Sequence, residues 1–158
     1  MEEKHEPGPG GHRNADGGNR YDLEERLLAY SAGIIGAVDI LKDSMGARHV
    51  GTQLIRSGTS PLPNHGEAEA AESRRDFIHK MKLCLKELRE SRRWLRVIQK
   101  ANLSRSQEYV LPLIQETEEL IKIFYTSVRT AQRNAGGTDD LRPGSYRLRE
   151  DFPLEAEC

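Results

Sequence analysis

Ten lysine and arginine residues lie within the segment 73–100, where only three acidic residues accompany them. At about 100° per residue, seven of these basic side chains fall within a helical sector of roughly 80°: Arg75, Lys82, Lys86, Arg89, Arg93, Arg96 and Lys100. A basic stripe of this kind, about 38 Å long, matches the successive phosphates of a nucleic acid or an acidic protein surface. Charge runs also occur on solvated helix faces that bind nothing, so both interpretations stay open.

Motifs that would support a particular enzymatic reaction are missing from the sequence. A P-loop is excluded because no glycine-rich segment ends in Gly-Lys-Ser or Gly-Lys-Thr. A di-iron bundle needs Glu-x-x-His pairs on facing helices, and the nearest approach among the amphipathic segments is Asp76-x-x-His79. Two cysteines, Cys84 and Cys158, are too few for a disulfide scaffold or a four-cysteine zinc site. We therefore expect no enzyme, no cofactor, no metal and no small-molecule substrate.

The expected folded part, about residues 21–135, consists of four amphipathic segments. The basic stripe lies on one of them, so a helix must position it. Apolar residues recur at helical spacing over about residues 22–44, 47–71, 73–101 and 106–134. No segment shows the alternation of a strand, and the connections are short. This pattern predicts an all-α fold, an antiparallel (up-down-up-down) four-helix bundle.

The two ends of the chain differ from the amphipathic part in composition. Residues 1–20 contain five glycines and two prolines, and residues 136–158 are acidic and contain further prolines and glycines, so both are expected to be disordered tails. The net charge of −1 conceals a third helix at +7 and a tail from residue 134 onward at −3.

No stretch has the roughly 18 apolar residues that cross a bilayer, and the polar N-terminus does not resemble a signal peptide. We expect a cytoplasmic protein with no membrane contact.

Three apolar side chains indicate contacts beyond a simple bundle core. Leu28 and Ile35 widen the apolar face of the first helix, which suggests a subunit neighbour in addition to the core. Trp94, the only tryptophan, lies off the main apolar stripe of the third helix. It could pack between helices or subunits, or stack on a nucleic-acid base, and packing is the favoured interpretation.

The middle of the chain also resembles a known family. The matching runs are Gln53 to Ser60, Asn64 to Ala68, Ser73 to Met81, and Leu85 to Glu90 followed by Trp94-Leu95. They are similar to the four-helix-bundle proteins of the ribosomal RNA intervening-sequence type, a family that includes the accessory variability-determinant proteins of diversity-generating retroelements. The resemblance covers about residues 21–133.

The resemblance implies a homopentamer of antiparallel four-helix bundles with no known enzymatic activity. Intervening-sequence members are encoded inside bacterial large-subunit ribosomal RNA genes, whereas retroelement members bind RNA or DNA and associate with a reverse transcriptase. The expected function is thus a non-enzymatic oligomeric scaffold or adaptor, and the alternative is a nucleic-acid-binding accessory to a reverse transcriptase. Pro61 and Pro63 depart from the family pattern, but the spacing of its motifs is kept. A second helix that continues with a kink near Pro61 is therefore expected.

Polar residues of the matching runs lie on the second and third predicted helices. We interpret them as an interhelical network that fixes the register of these helices, formed by Arg56, Asn64, Glu67, Asp76, Lys80, Glu87 and Glu90. The specific hypothesis is that Arg56 and Lys80 pair with acidic residues of this set.

Overall fold

The computed structural model describes residues 23–133, which form five helices. They are α1 (Leu23–Asp39), α2 (Met45–Thr59), α3 (Pro61–Glu69), α4 (Arg74–Lys100) and α5 (Gln107–Arg133). Because α2 and α3 are the two halves of the second predicted helix, the architecture is a four-helix bundle, and the predicted all-α fold class is confirmed. Apart from one isolated bridge between Leu41 and Ser104, residues 23–133 contain no strand pairing. Both predicted tails lie outside the described residues.

Backbone hydrogen bonds place the α1–α2 connection beside the α4–α5 connection. The N–H of Lys42 donates to the carbonyl of Leu103 at 2.8 Å, and the N–H of Arg105 donates to the carbonyl of Ile40 at 3.0 Å. The two connections therefore lie at the same end of the bundle, as an up-down-up-down order requires. These bonds also explain why α1 ends at Asp39 and not at the predicted residue 44, since the following backbone pairs with another connection.

The junction between α2 and α3 keeps helical backbone angles despite two prolines. Ser60 has φ −63° and ψ −32°, in the right-handed helical region. The hydrogen-bond ladder is interrupted because Pro61 and Pro63 have no N–H to donate. Two side chains bond to carbonyls at the junction: Asn64 Nδ2 donates to the carbonyl of Ser60 at 2.9 Å and the thiol of Cys84 donates to the carbonyl of Pro61 at 3.4 Å. Helical conformation thus continues past the prolines with a local break at Ser60.

Helix α4 is the central element of the bundle, since it packs against α2, α3 and α5. Its apolar side chains meet those of the other helices in a single core, whose largest fully buried members include Leu27, Ile34, Leu54, Met81, Leu88, Leu95, Ile98, Leu120 and Phe124. Burial of one face of α4 leaves the opposite face to solvent. The basic stripe predicted from the sequence lies on that opposite face.

Local side-chain chemistry sets both ends of α4. The hydroxyl of Ser73 accepts a hydrogen bond from the N–H of Asp76 at 3.1 Å, which caps the first turn. At the other end, Asn102 has φ +50°, a left-handed conformation that asparagine tolerates better than most residues. The N–H of Leu103 then donates back to the carbonyl of Ile98 at 2.9 Å, which closes the helix and turns the chain toward α5.

Candidate nucleic-acid interface

The seven residues of the predicted basic stripe are all exposed in the structure. They run along the whole of α4, opposite the buried Phe77, Met81, Leu88 and Leu95, and we call them the α4 ridge: Arg75, Lys82, Lys86, Arg89, Arg93, Arg96 and Lys100. Lys86 lies 3.8 Å from Glu87 at an exposed position, where such a pair contributes little. Within residues 23–133, the other six ridge side chains form no ion pair that would occupy their donors. Among the described residues, most of the ridge cations thus have no carboxylate partner.

Part of the α4 ridge forms one wall of a groove between α4 and α5. The groove has a volume of about 490 Å³ and is lined from α4 by Lys82, Leu85, Lys86, Arg89 and Arg93, and from α5 by Tyr125, Val128, Arg129 and Gln132. Five of these lining residues are cations and none is acidic. The remaining ridge residues extend the positive charge beyond both ends of the groove, because Arg75 precedes it along α4 and Arg96 and Lys100 follow it.

Helix α5 contributes two groove residues that were not predicted from the sequence, Tyr125 and Arg129. The guanidinium carbon of Arg129 lies 5.8 Å from the centroid of the Tyr125 ring, within the range of a cation–π contact. The Tyr125 residue is 45% exposed. A signal existed in the sequence, since Tyr125 and Arg129 are one helical turn apart. Only the packing of α5 on α4 shows that this turn faces the basic ridge.

One pair of the predicted interhelical polar network is present. The ammonium group of Lys80 on α4 forms an ion pair with the carboxylate of Glu67 on α3. This hydrogen bond raises the pKa of Lys80 above its ordinary value. The Glu67 side chain is 57% exposed, so the pair lies near the surface and not in the core.

The other predicted network residues do not join this pair across the helices. Arg56 is exposed on α2 and has no ion pair among the described residues, because its position faces solvent. The side chains of Asn64 and Glu90 bond within their own helical segments, to Ser60 and to the indole of Trp94. Asp76 and Glu87 sit half-buried on α4, where Glu87 lies near Lys86. Of the predicted network, the structure therefore contains one ion pair between helices, that of Lys80 with Glu67, and contacts within single helical segments.

Polar contacts between helices occur instead at residues that were not predicted to form them. The hydroxyl of Tyr30 on α1 lies 2.9 Å from that of Thr117 on α5, and Ser91 on α4 donates to Ser57 on α2 at 3.0 Å. All four residues are buried. Burial raises the pKa of the Tyr30 phenol to about 12. These hydroxyls link the helices of the bundle inside the core.

An ion pair at the edge of the bundle joins α1 to α5. The guanidinium of Arg26 binds the Glu116 carboxylate through both of its oxygens. The hydrogen bond to Glu116 raises the pKa of Arg26 above its usual value. Because a two-point guanidinium–carboxylate contact has a fixed geometry, it helps to set the position of α1 along α5.

Residues with metal-binding or nucleophilic chemistry are dispersed in the described part of the chain. Residues 23–133 contain no group of three or more His, Cys, Asp or Glu side chains that could hold a metal ion. Burial raises the pKa of the Cys84 thiol to about 12, so the thiol stays protonated near neutral pH.

Trp94 is half-buried against the core, with its ring edge-to-face on His49 of α2 at 6.4 Å, so it packs between helices. None of the described helices has the length and apolar character needed to cross a membrane.

These features define a class of protein, a four-helix bundle with one strongly basic face and a groove along it. Residues 38–126 match the model of the 23S rRNA-intervening sequence protein family. The match covers more than half of the 158 residues, and the chain belongs to this family.

One solved structure is similar to this chain, with a TM-score of 0.60 and 28% sequence identity. It is the structure of a protein of unknown function from the S23 ribosomal protein family of Bacteroides thetaiotaomicron VPI-5482. The alignment covers 68% of this chain and 98% of that one. A comparison with curated proteins gave no match.

Proposed function

We propose that this protein is a non-enzymatic oligomeric scaffold that binds nucleic acid on the α4 ridge. The observation that carries the proposal is the groove between α4 and α5, whose lining includes five cations and no acidic residue. Here the cations from two helices converge on one concave surface.

The dimensions of the α4 ridge suit an extended polyanion. Its first and last members, Arg75 and Lys100, are separated by 25 helical residues, which correspond to about 38 Å along the helix axis. Lysine and arginine side chains that neutralise phosphates release condensed counterions, and this release drives binding without reading sequence. A surface of this kind supports affinity for nucleic acid in general and not recognition of one site.

Replacing Arg89, Arg93 and Arg96 together by Ala tests the proposal. We expect weaker binding of a labelled RNA and a shallower dependence of log K on log salt, by about 0.7–0.9 for each phosphate that the variant no longer neutralises. Fluorescence anisotropy over a salt series measures both quantities. A matched control removes three exposed cations that lie off α4, Lys42, Arg56 and Arg105. If the two triple variants bind alike, the α4 ridge is not the contact surface.

A second candidate is an accessory protein to the reverse transcriptase of a diversity-generating retroelement. The resemblance over residues 21–133 supports it, together with the exposed ridge that would hold nucleic acid beside a polymerase. The genomic neighbourhood distinguishes the candidates. A neighbouring reverse transcriptase gene with template and variable repeats supports the accessory role, whereas an insert within a ribosomal RNA gene contradicts it.

We propose further that the chain assembles as a homo-oligomer, a pentamer by resemblance to the family. Leu28 and Ile35 on α1 are 44% and 47% exposed, and Ile55 on the adjoining α2 is 38% exposed. Leu28 and Ile35 are seven residues apart and so lie on one face of α1. Exposed apolar residues on one face of a helix are typical of a subunit contact.

A further inference from the structure

Tyr125 contributes an aromatic side chain to the lining of a cationic groove. From this juxtaposition we propose that the groove binds single-stranded nucleic acid in preference to a duplex, with one base stacked on Tyr125 and the neighbouring phosphates on the α4 cations. The inference rests on the proposed function, because it specifies the kind of nucleic acid that the same surface binds.

The groove combines the two features that single-strand binding requires, cations for the backbone and an aromatic face for a base. Lys82 and Arg93 are separated by 11 helical residues, so the α4 wall offers four cations over about 17 Å. Tyr125 stands on the opposite wall. A strand that runs along α4 can therefore turn a base toward α5 while its phosphates stay on the ridge.

The surroundings of the Tyr125 ring favour a planar base. Arg129 lies against the ring at 5.8 Å from its centroid, and guanidinium planes stack on bases as aromatic rings do. Leu85 and Val128 are buried residues that also line the groove, so the base would meet apolar surface as well. Because the Tyr125 residue is 45% exposed, part of its surface is accessible to a ligand.

A duplex can contact the cations of the groove but cannot stack a base on its aromatic side chain. Its bases are stacked on one another and paired, so they present no free face to Tyr125 or to the apolar floor. The duplex would contact the cations alone, by the sequence-independent electrostatic mechanism. Tyr125 should consequently matter for a single strand and not for a duplex.

The experiment compares Tyr125→Ala with the unmodified full-length protein. Fluorescence anisotropy measures binding of a labelled 12-nucleotide single-stranded RNA and of a duplex with the same sequence, over the same series of salt concentrations. We expect Tyr125→Ala to weaken single-strand binding about 5- to 160-fold, the range for the loss of one stacked base, and to leave duplex binding unchanged. Tyr125→Phe keeps the ring and should retain single-strand binding.

Tyr109→Ala is the matched control, because Tyr109 is a second exposed tyrosine on α5, at 43%, that does not line the groove. It should leave both affinities unchanged, and circular dichroism checks that each variant is folded. Equal effects of Tyr125→Ala on the two RNAs, or no effect on either, would overturn the inference.

Failure of the inference can be told apart from failure of the proposed function. If the unmodified protein binds both RNAs with a steep salt dependence and Tyr125→Ala changes neither, only the single-strand inference falls. If the unmodified protein binds neither RNA, the proposed function falls and the inference falls with it.

Discussion

The buried hydroxyl pair of Tyr30 and Thr117 shows how single residues specify the bundle. Thr117 is fully buried, and the two hydroxyls are 2.9 Å apart between α1 and α5. A hydroxyl loses its hydrogen bonds to water when it is buried, and this costs free energy unless another group replaces them. The two helices must therefore pack in the register that brings the two hydroxyls together. At the surface, by contrast, the ion pair of Lys80 with Glu67 is partly exposed and contributes little to stability.

At this scale, Thr117→Val is expected to lower the free energy of unfolding by about 0.5–1.5 kcal/mol, because it removes one of the two hydrogen-bond partners of the buried Tyr30 phenol and leaves Ser91 as the other. Urea denaturation followed by circular dichroism measures the change. Thr126→Val is the matched control on the same helix, since the Thr126 hydroxyl bonds at the surface to its own backbone turn. An equal, small effect of both substitutions would show that the buried pair contributes nothing.

At the scale of elements, the close packing of α1 against the second helix depends on glycine. A Cβ atom on Gly58 would lie 2.7 Å from Cγ2 and 2.8 Å from Cγ1 of Ile34, which is fully buried. The break at Ser60 follows two residues later. Gly58 therefore lets α1 approach α2 next to the point where the two prolines interrupt the hydrogen-bond ladder.

Gly58→Ala is accordingly expected to destabilise the protein by about 1–3 kcal/mol, because a stiff β-branched neighbour must move to make room. Gly66→Ala is the control: it also lies inside a helix, and its added Cβ would have no described atom within 4 Å other than those of its neighbours and of its own helical backbone. That substitution should stabilise the protein by up to about 1 kcal/mol through helix propensity alone. Thermal unfolding compares the two variants. A stabilised Gly58→Ala protein would contradict the packing argument.

At the scale of the whole molecule, two surfaces have different roles in the proposal. The α4 ridge and its groove carry charge for a polyanion, whereas Leu28, Ile35 and Ile55 expose apolar surface for another subunit. These surfaces lie on different helices, the first on α4 and α5 and the second on α1 and α2. Assembly through the apolar surface would multiply the number of grooves per particle and strengthen binding to a long nucleic acid.

The assembly prediction concerns mass in solution. Unmodified protein is expected to run as a multiple of the 17.9 kDa chain, and the double variant Leu28→Glu, Ile35→Glu as a smaller species, because two carboxylates would be buried in the contact. Light scattering coupled to gel filtration measures both masses. Met45→Glu is the control, as Met45 is an apolar residue that is already 80% exposed. A monomeric unmodified protein would exclude the oligomer.

The sequence by itself determined the helices, their inward and outward faces and the exposed basic stripe, because helical periodicity is a local property that each segment carries alone. The exposure of Arg93 and the burial of Leu95 follow from such spacing. Tertiary structure alone decided which residues meet across helices. Arg56 was expected to pair and lies at the surface. Tyr125 and Arg129 are one helical turn apart in the sequence, but only the packing of α5 on α4 places them in the groove. These contacts depend on how each helix is rotated and shifted against its neighbours, and packing of the whole core fixes both.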